Sequence, residues 1–297
     1  MDGKDGEGGM KAETQAKLRL GRIGYVNTFP FYHGLAAAGG DNLFELSWQT
    51  GTPAQINQAM QEGKIDIAPV SSLEYLNHQD QYLLFPELCI GSRDFSASVL
   101  LLSRERIHGL DGAAISLTEE SLSAATLLKI LLRFKFRFTN QFRAEPSNAE
   151  AMLSQSKACL VIGDEALFFR PKEFIYKTDL SQLWWDWTEL PFCFSVWAVR
   201  RPYYEKYAAE VNSFYRTLKS NTERNLLDIE KILKDGLQIT LADEKFPIVF
   251  GYLFNLNYYL DDEMQHGLEL FYRLAHRLGV APKPRRLNFI EPEKFKE

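Results

Sequence analysis

Short apolar runs alternate with amphipathic segments through the first two-thirds of the chain. Leu18, Leu20, Ile23 and Tyr25 form a strand-like alternation that ends at Asn27-Thr28, where an aromatic, proline-containing segment begins. Asn and Thr suit such a turn because their side chains bond nearby backbone N–H groups and cap the helix that follows. The pattern then predicts a helix over 30–38 stopped by Gly39-Gly40, a strand over 43–48 and a helix over 54–62 opened by Gly51-Thr52-Pro53. A buried strand over 65–70 leads into Ser71-Ser72 and a short helix over 73–77, and 98–103 reads as a further strand. A second, similar unit follows: a strand over 113–117, a hydroxyl-rich connection over 118–123, an apolar helix over 124–132, a helix over 148–155 and a strand over 158–162. Residues 192–199 read as a strand that returns toward the first unit, and beyond Pro202 the pattern is helical over 203–219, 223–235 and 262–278.

This βαβα order predicts an α/β protein of mainly parallel sheets in two lobes. The expected lobe 1 comprises 18–103 plus 200–297, with a helical C-terminus packed back on it, and lobe 2 comprises 104–199. Residues 1–17, polar and glycine-rich, read as a disordered N-terminal extension. A ligand cleft belongs between the lobes, and a polar turn at the carboxyl end of a first strand is where open α/β sheets hold ligands.

Composition narrows the classes of partner. The chain has 297 residues, 45% hydrophobic and 25% charged, enough for a sizeable core. A net charge of −5 and a pI near 5.7 argue against nucleic acid or an anionic membrane as partner. The N-terminus lacks the apolar stretch of a secretory signal, and no apolar run approaches the ~18 residues that span a bilayer. Cys89, Cys159 and Cys193 lie far apart among apolar neighbours, which fits buried thiols in a reduced, cytoplasmic setting. The five histidines lack metal-ligand spacing, and neither a CxxC nor an HExxH pair occurs, so no metal is expected. The chain also lacks the GxGxxG, GxxxxGK[ST] and GxSxG patterns, which leaves no support for nucleotide cofactors or a hydrolase elbow. The alternating RFKFRF run, 133–138, reads as the end of an amphipathic element rather than a nucleic-acid face. In the Trp184-Trp185-Asp186-Trp187 stretch, packing suits the first two tryptophans and the cleft mouth suits Trp187.

What remains is a set of hydroxyl and amide residues at strand ends: Asn27, Thr28, Ser71, Ser72, Ser96, Ser98, Thr118, Ser121 and Ser123. Each alone reads as a helix cap. Together, facing one cleft, such caps place hydroxyls beside free backbone N–H groups and the positive helix end, which makes carboxylate sites without Lys or Arg. Asp164 reads equally as a cap and as a cleft carboxylate.

The segments GYVNTFPF, GTPAQINQAMQEGKIDIAPVSSLEY, SASVLLLSR, SLTEESLSAATLLKILL, CLVIGDEAL and WTELPFCFSVWAVR, in that order, resemble the chorismate dehydratases of the futalosine route to menaquinone. The resemblance runs from about Gly21 to Arg201. It implies a type II periplasmic-binding-protein-like fold and a cofactor-free hydro-lyase that converts chorismate to 3-[(1-carboxyvinyl)oxy]benzoate. Carried onto this chain, it makes Asn27, Ser96 and Ser98 the catalytic group. Tyr25, Thr28, Ser71, Ser72, Thr118, Ser121, Ser123, Asp164 and Trp187 are then substrate contacts, Tyr25 being readable as packing as well. No His or Glu in these motifs stands out as a base, so the substrate's own enolpyruvyl carboxylate is expected to take the ring proton.

Two departures from the family pattern stand out. Ser121-Leu122-Ser123-Ala124 replaces a Ser-x-Thr-Ser pattern, and Thr188-Glu189-Leu190-Pro191-Phe192 has Glu where the family has Gly. Competing readings are a binding protein for a small carboxylate and the later enzyme of the same route that acts on a cyclic futalosine derivative. A regulator's effector domain lacks the helix-turn-helix it would need. The sequence leaves homodimerisation open.

Overall fold

The computed structural model of the chain describes residues 16–38 and 44–291. Residues 1–15 and the Gly39-Gly40 helix stop lie outside them. The chain opens with β1 (Ala16–Ile23), the short helices α1 (Phe29–Tyr32) and α2 (Leu35–Ala38), β2 (Phe44–Gly51) and α3 (Pro53–Gln61). It continues through β3 (Ile67–Ser71), α4 (Ser72–Asn77) and β4 (Tyr82–Ser92). Five strands of a second lobe follow: β5 (Val99–Ser103), β6 (Ala114–Thr118), β7 (Gln141–Glu145), β8 (Ala158–Ile162) and β9 (Tyr176–Asp179). Its helices are α5 (Leu122–Ile130), α6 (Ala149–Gln155), α7 (Gly163–Phe168) and α8 (Leu180–Thr188). β10 (Phe192–Arg200) re-enters the first sheet, and α9 (Arg201–Lys206), α10 (Ala208–Leu227) and α11 (Ile229–Leu237) follow. The chain closes with α12 (Phe246–Asn255), β11 (Leu256–Asn257) and α13 (Asp262–Arg277).

The strand order is β11-β4-β10-β3-β1-β2 in the first sheet and β7-β6-β8-β5-β9 in the second. Both sheets are mixed rather than mainly parallel. β1 runs parallel to β2 and β3, whereas β10 is antiparallel to β3 and β4. In the second sheet β6 is parallel to β7 and β8, while β5 is antiparallel to β8 and β9. Strand membership also moves the crossings. Val99–Ser103, expected to end lobe 1, is a central strand of lobe 2, and Phe192–Arg200, expected to end lobe 2, is central in lobe 1. The chain therefore crosses at 93–98 and 189–191, not at the expected lobe boundaries of 103/104 and 199/200. Both exchanged strands are buried across the sheet, so their apolar runs carry no mark of which sheet they join.

β4 has no counterpart in the sequence pattern because Pro86-Glu87, with Glu87 at φ 61°, interrupts its apolar run. The single helix expected over 30–38 is two, divided at Gly34 with φ 71°. Gly21 lets α3 lie close on β1, since a Cβ there would approach Ile65, Ala68 and Ile56 side chains at 2.7–2.9 Å. The RFKFRF run ends α5 in a π-helical turn, Leu131–Lys135, with Phe134, Phe136 and Phe138 packed on the core. Cys89, Cys159 and Cys193 are buried and free. Among the described residues no helix is long and apolar enough to cross a membrane.

Each crossing holds one non-glycine residue in the left-handed region, Ala97 and Glu189, both at φ 57°. Glu189 is the C-cap of α8, with its N–H donating to Trp185 O at 2.8 Å. This is the position of the expected family glycine. A Cβ costs about 1–2 kcal/mol in this conformation, partly offset because glycine adds disorder to the unfolded chain. Glu189→Gly is therefore expected to stabilise the protein by up to ~1 kcal/mol. A rise in the urea unfolding midpoint at unchanged slope checks this; a fall would show that the Glu189 side chain contributes more than its backbone costs.

Candidate active site

The cleft sits where β1, β3, β10 and β11 of lobe 1 face the starts of β5, α5 and α7 of lobe 2, and its space, part of it open to solvent, is about 590 Å³. Tyr25, Asn27, Thr28, Ser71, Ser98 and Ser121 all line it, beside an apolar wall that includes Ile23, Val99 and Ile162. Among the described residues no Asp, Glu, His, Lys or Arg lines the cleft. Nor does any group of three His, Cys, Asp or Glu residues have the placement to hold a metal.

Asn27 lies in the turn Val26–Thr28 that β1 feeds. The turn is built without the Asn27 side chain. Thr28 Oγ1 donates to Ile23 O and Tyr25 O, both at 2.8 Å, and Tyr258 Oη donates to the Asn27 carbonyl at 2.9 Å. The Asn27 amide is left for the cleft. Beside it is Tyr252, fully buried, whose Oη donates to Ser98 Oγ at 2.9 Å. Burial pushes the Tyr252 hydroxyl up, so it stays protonated and donates. Asn27 Oδ1 is buried with no hydrogen-bond partner among the described residues. With Tyr252 filling one lone pair, Ser98 keeps its own proton for the cleft. The pair presents one acceptor, Asn27 Oδ1, and one donor, Ser98 Oγ–H.

Contacts between the lobes tie them together beside the cleft. Tyr25 Oη donates to Glu120 Oε2 at 2.5 Å, and Val26 N–H donates to Asp164 Oδ1 at 3.2 Å. Burial raises the Asp164 carboxyl, while the bond from Val26 pulls it partly back. A third tie joins Ser123 Oγ to Leu73 N at 2.9 Å and to Ser72 Oγ at 3.0 Å. Gly163, at φ 61°, gives the Tyr25 ring room, since a Cβ there would lie 3.1–3.2 Å from it.

The other expected site residues are committed to partners within the fold. Ser96 donates its hydroxyl to Asp179, which also accepts from the Ser96 and Ala97 N–H groups; this cluster shapes the 93–98 crossing. Ser72 and Ser123 are consumed by the seam between the lobes, and buried Thr118 accepts the Glu120 N–H at 3.2 Å. Asp164 ties the lobes together beside the cleft, and Thr28 lines it with a hydroxyl already committed to the turn. Trp187 packs edge-on against buried Trp184 at 6.1 Å instead of standing at the mouth. The caps that structure the chain and the caps that face the cleft are the same residue types, so spacing alone did not separate them.

Ser195, Phe194, Tyr252 and Glu120 had not been singled out. Tyr252 sits in α12, whose apolar sequence, FPIVFGYLFN, carries no polar signal near it. At the start of α5, Ala124 N–H donates to Ser121 Oγ at 3.2 Å, so the cap bond survives the replacement of the family's serine. Leu122 and Ser123 N–H, ahead of it in the first turn, have no intrahelical partner.

Comparison with known proteins bears on the fold and the family. A chorismate dehydratase of Thermus thermophilus is 28% identical over 282 residues, covering 89% of this chain and 96% of the relative. A solved protein of Archaeoglobus fulgidus superposes with a TM-score of 0.72 at 16% identity, covering 89% of this chain and 98% of that one. The periplasmic aliphatic sulphonate binding protein of Escherichia coli gives 0.63 at 16% identity, over 96% of each chain. The architecture is therefore the two-lobe, periplasmic-binding-protein-like fold. A family described as menaquinone biosynthesis matches residues 18–277, both lobes and the cleft between them, and it is to this family that the chain belongs.

Proposed function

We propose that the protein is a chorismate dehydratase, a cytoplasmic hydro-lyase that removes water from chorismate to give 3-[(1-carboxyvinyl)oxy]benzoate. The observation that carries this reading is the cleft's chemistry: hydroxyl and amide groups in a site where no described lining residue has a charged side chain. Among the described lining residues Tyr25 is the one ionisable group, and burial and Glu120 hold it protonated. A reaction that relied on a protein carboxylate or imidazole as base would need one there. Chorismate brings its own. Its enolpyruvyl carboxylate takes the proton from the ether-bearing ring carbon, and the electron pair spreads through the ring double bond into the ring carboxylate. The adjacent hydroxyl then leaves and recovers that proton as water, and the ring becomes aromatic.

The protein's part is positioning and electrostatics. Asn27 Oδ1 accepts from the substrate hydroxyl, and Ser98 Oγ–H, loaded by Tyr252, donates to the same oxygen as it departs. Ser121 and the first turn of α5 face the developing charge with donors and the positive helix end. The name of the Thermus thermophilus relative supports the same substrate.

Incubating purified protein with chorismate is expected to replace the substrate's ultraviolet spectrum with that of an aromatic product. If the protein binds chorismate and leaves the spectrum unchanged, it is a binding protein and the proposal falls.

A further inference from the structure

β10 carries an irregularity at the cleft. Against β4, Cys193 pairs with Gly91 but Ser195 pairs with Ile90, so Phe194 is the extra residue of a bulge. A regular strand turns successive side chains to opposite faces. Here the bulge re-aims the strand, and consecutive Phe194 and Ser195 both line the cleft. Ser195 is buried, and its Oγ has no hydrogen-bond partner among the described residues. The strand beyond it, Val196 to Val199, is wholly apolar and buried. An unmade hydrogen bond in such a place is a loss to the fold that alanine would avoid.

The neighbour across the strand pair sharpens this. Ser195 stands opposite Ser71 of β3, which also lines the cleft. Ser71 Oγ accepts from Asn57 Nδ2 at 3.1 Å and from Glu74 N–H at 3.3 Å. With both lone pairs filled, its proton can only be donated outward. Two hydroxyls thus sit side by side on the lobe 1 wall, one fixed as a donor and the other unused, facing Ser121 of lobe 2 across the cleft.

We propose that Ser195, with Ser71, seats one carboxylate of the substrate on lobe 1 while the start of α5 takes the other on lobe 2. A substrate with two carboxylates then bridges the lobes, and Ser195 becomes a determinant of selectivity for di-acids over mono-acids. The inference rests on the chorismate reading.

Ser195→Ala tests it through KM, kcat and thermal midpoint measured together on the full chain. Losing a donor to a carboxylate is expected to raise KM for chorismate about 10- to 100-fold. The fall in kcat is expected to be smaller, and the thermal midpoint equal to or above that of the wild type. A purely structural hydroxyl would show the opposite: a lowered midpoint, with KM following it or unmoved. Either an unchanged KM or a lowered midpoint in a wild-type background that turns over chorismate overturns the Ser195 role alone. A wild-type protein that neither converts nor binds chorismate overturns the function reading, and the seat with it.

Discussion

Replacing Asn27 by alanine is expected to slow turnover of chorismate by about 10²–10³-fold while the circular dichroism spectrum stays that of the wild type. The magnitude is that of losing a preorganised polar group at the reacting centre. The Asn27 side chain does two things at once. Its Oδ1 is a buried acceptor without a partner among the described residues, and its amide stands beside Tyr252, which loads Ser98. The fold should survive because everything that holds the turn is elsewhere: the Thr28 hydroxyl, the Thr28 N–H to Tyr25 O at 3.1 Å, and Tyr258 on the Asn27 main-chain carbonyl. Near-normal turnover in this variant would remove Asn27 from the mechanism. Asp164→Asn is the contrasting arm. Asp164 receives the Val26 N–H outside the cleft lining, and an amide oxygen can accept the same bond, so turnover should persist at a reduced rate. If that variant alone abolishes turnover yet still binds substrate, Asp164 is the base and the substrate-assisted route is wrong.

Gly267→Ala is expected to cost about 2–3 kcal/mol of stability, the largest effect of an added methyl among the described glycines. Gly267 lies within α13, on the face that buries Met264, Leu268, Phe271 and Tyr272. A Cβ there would come 2.0 Å from Pro191 O, a backbone atom that cannot rotate away. Alanine normally gains about 1 kcal/mol over glycine inside a helix, so the sign of this change separates packing from propensity. Displacing α13 also reaches the site. Phe271 packs on Phe192 at 4.9 Å, and Tyr272 Oη donates to Ser72 O at 2.8 Å, beside the seam that joins the lobes. Thermal unfolding should show a midpoint lower by roughly 5–10 °C. A midpoint at or above the wild-type value would mean that the 189–191 crossing yields freely to the helix.

Tyr25, Asn27, Thr28, Ser71, Ser98 and Ser121 were legible as cleft-lining residues because each sits where a strand ends and a polar turn begins, and such ends meet at a cleft. Ser72, Ser96, Thr118 and Ser123 share that local signature. They differ only in what stands opposite: Asp179 for Ser96, a backbone N–H for Thr118, and each other for Ser72 and Ser123. Ser195 had no signature, because a bulge in strand pairing decides which way it faces.

The sequence by itself determined the two α/β units, most helix starts and the order of motifs, since hydrophobic period and capping chemistry act over a few neighbouring residues. Tertiary structure decided which sheet β5 and β10 join, why a glycine stands inside α13, and which hydroxyls remain free for a ligand. The reason is physical. A hydroxyl's availability is set by whether its lone pairs and proton are already taken, and the groups that take them at Ser98 and Ser123 come from 154 and 51 residues away in the chain.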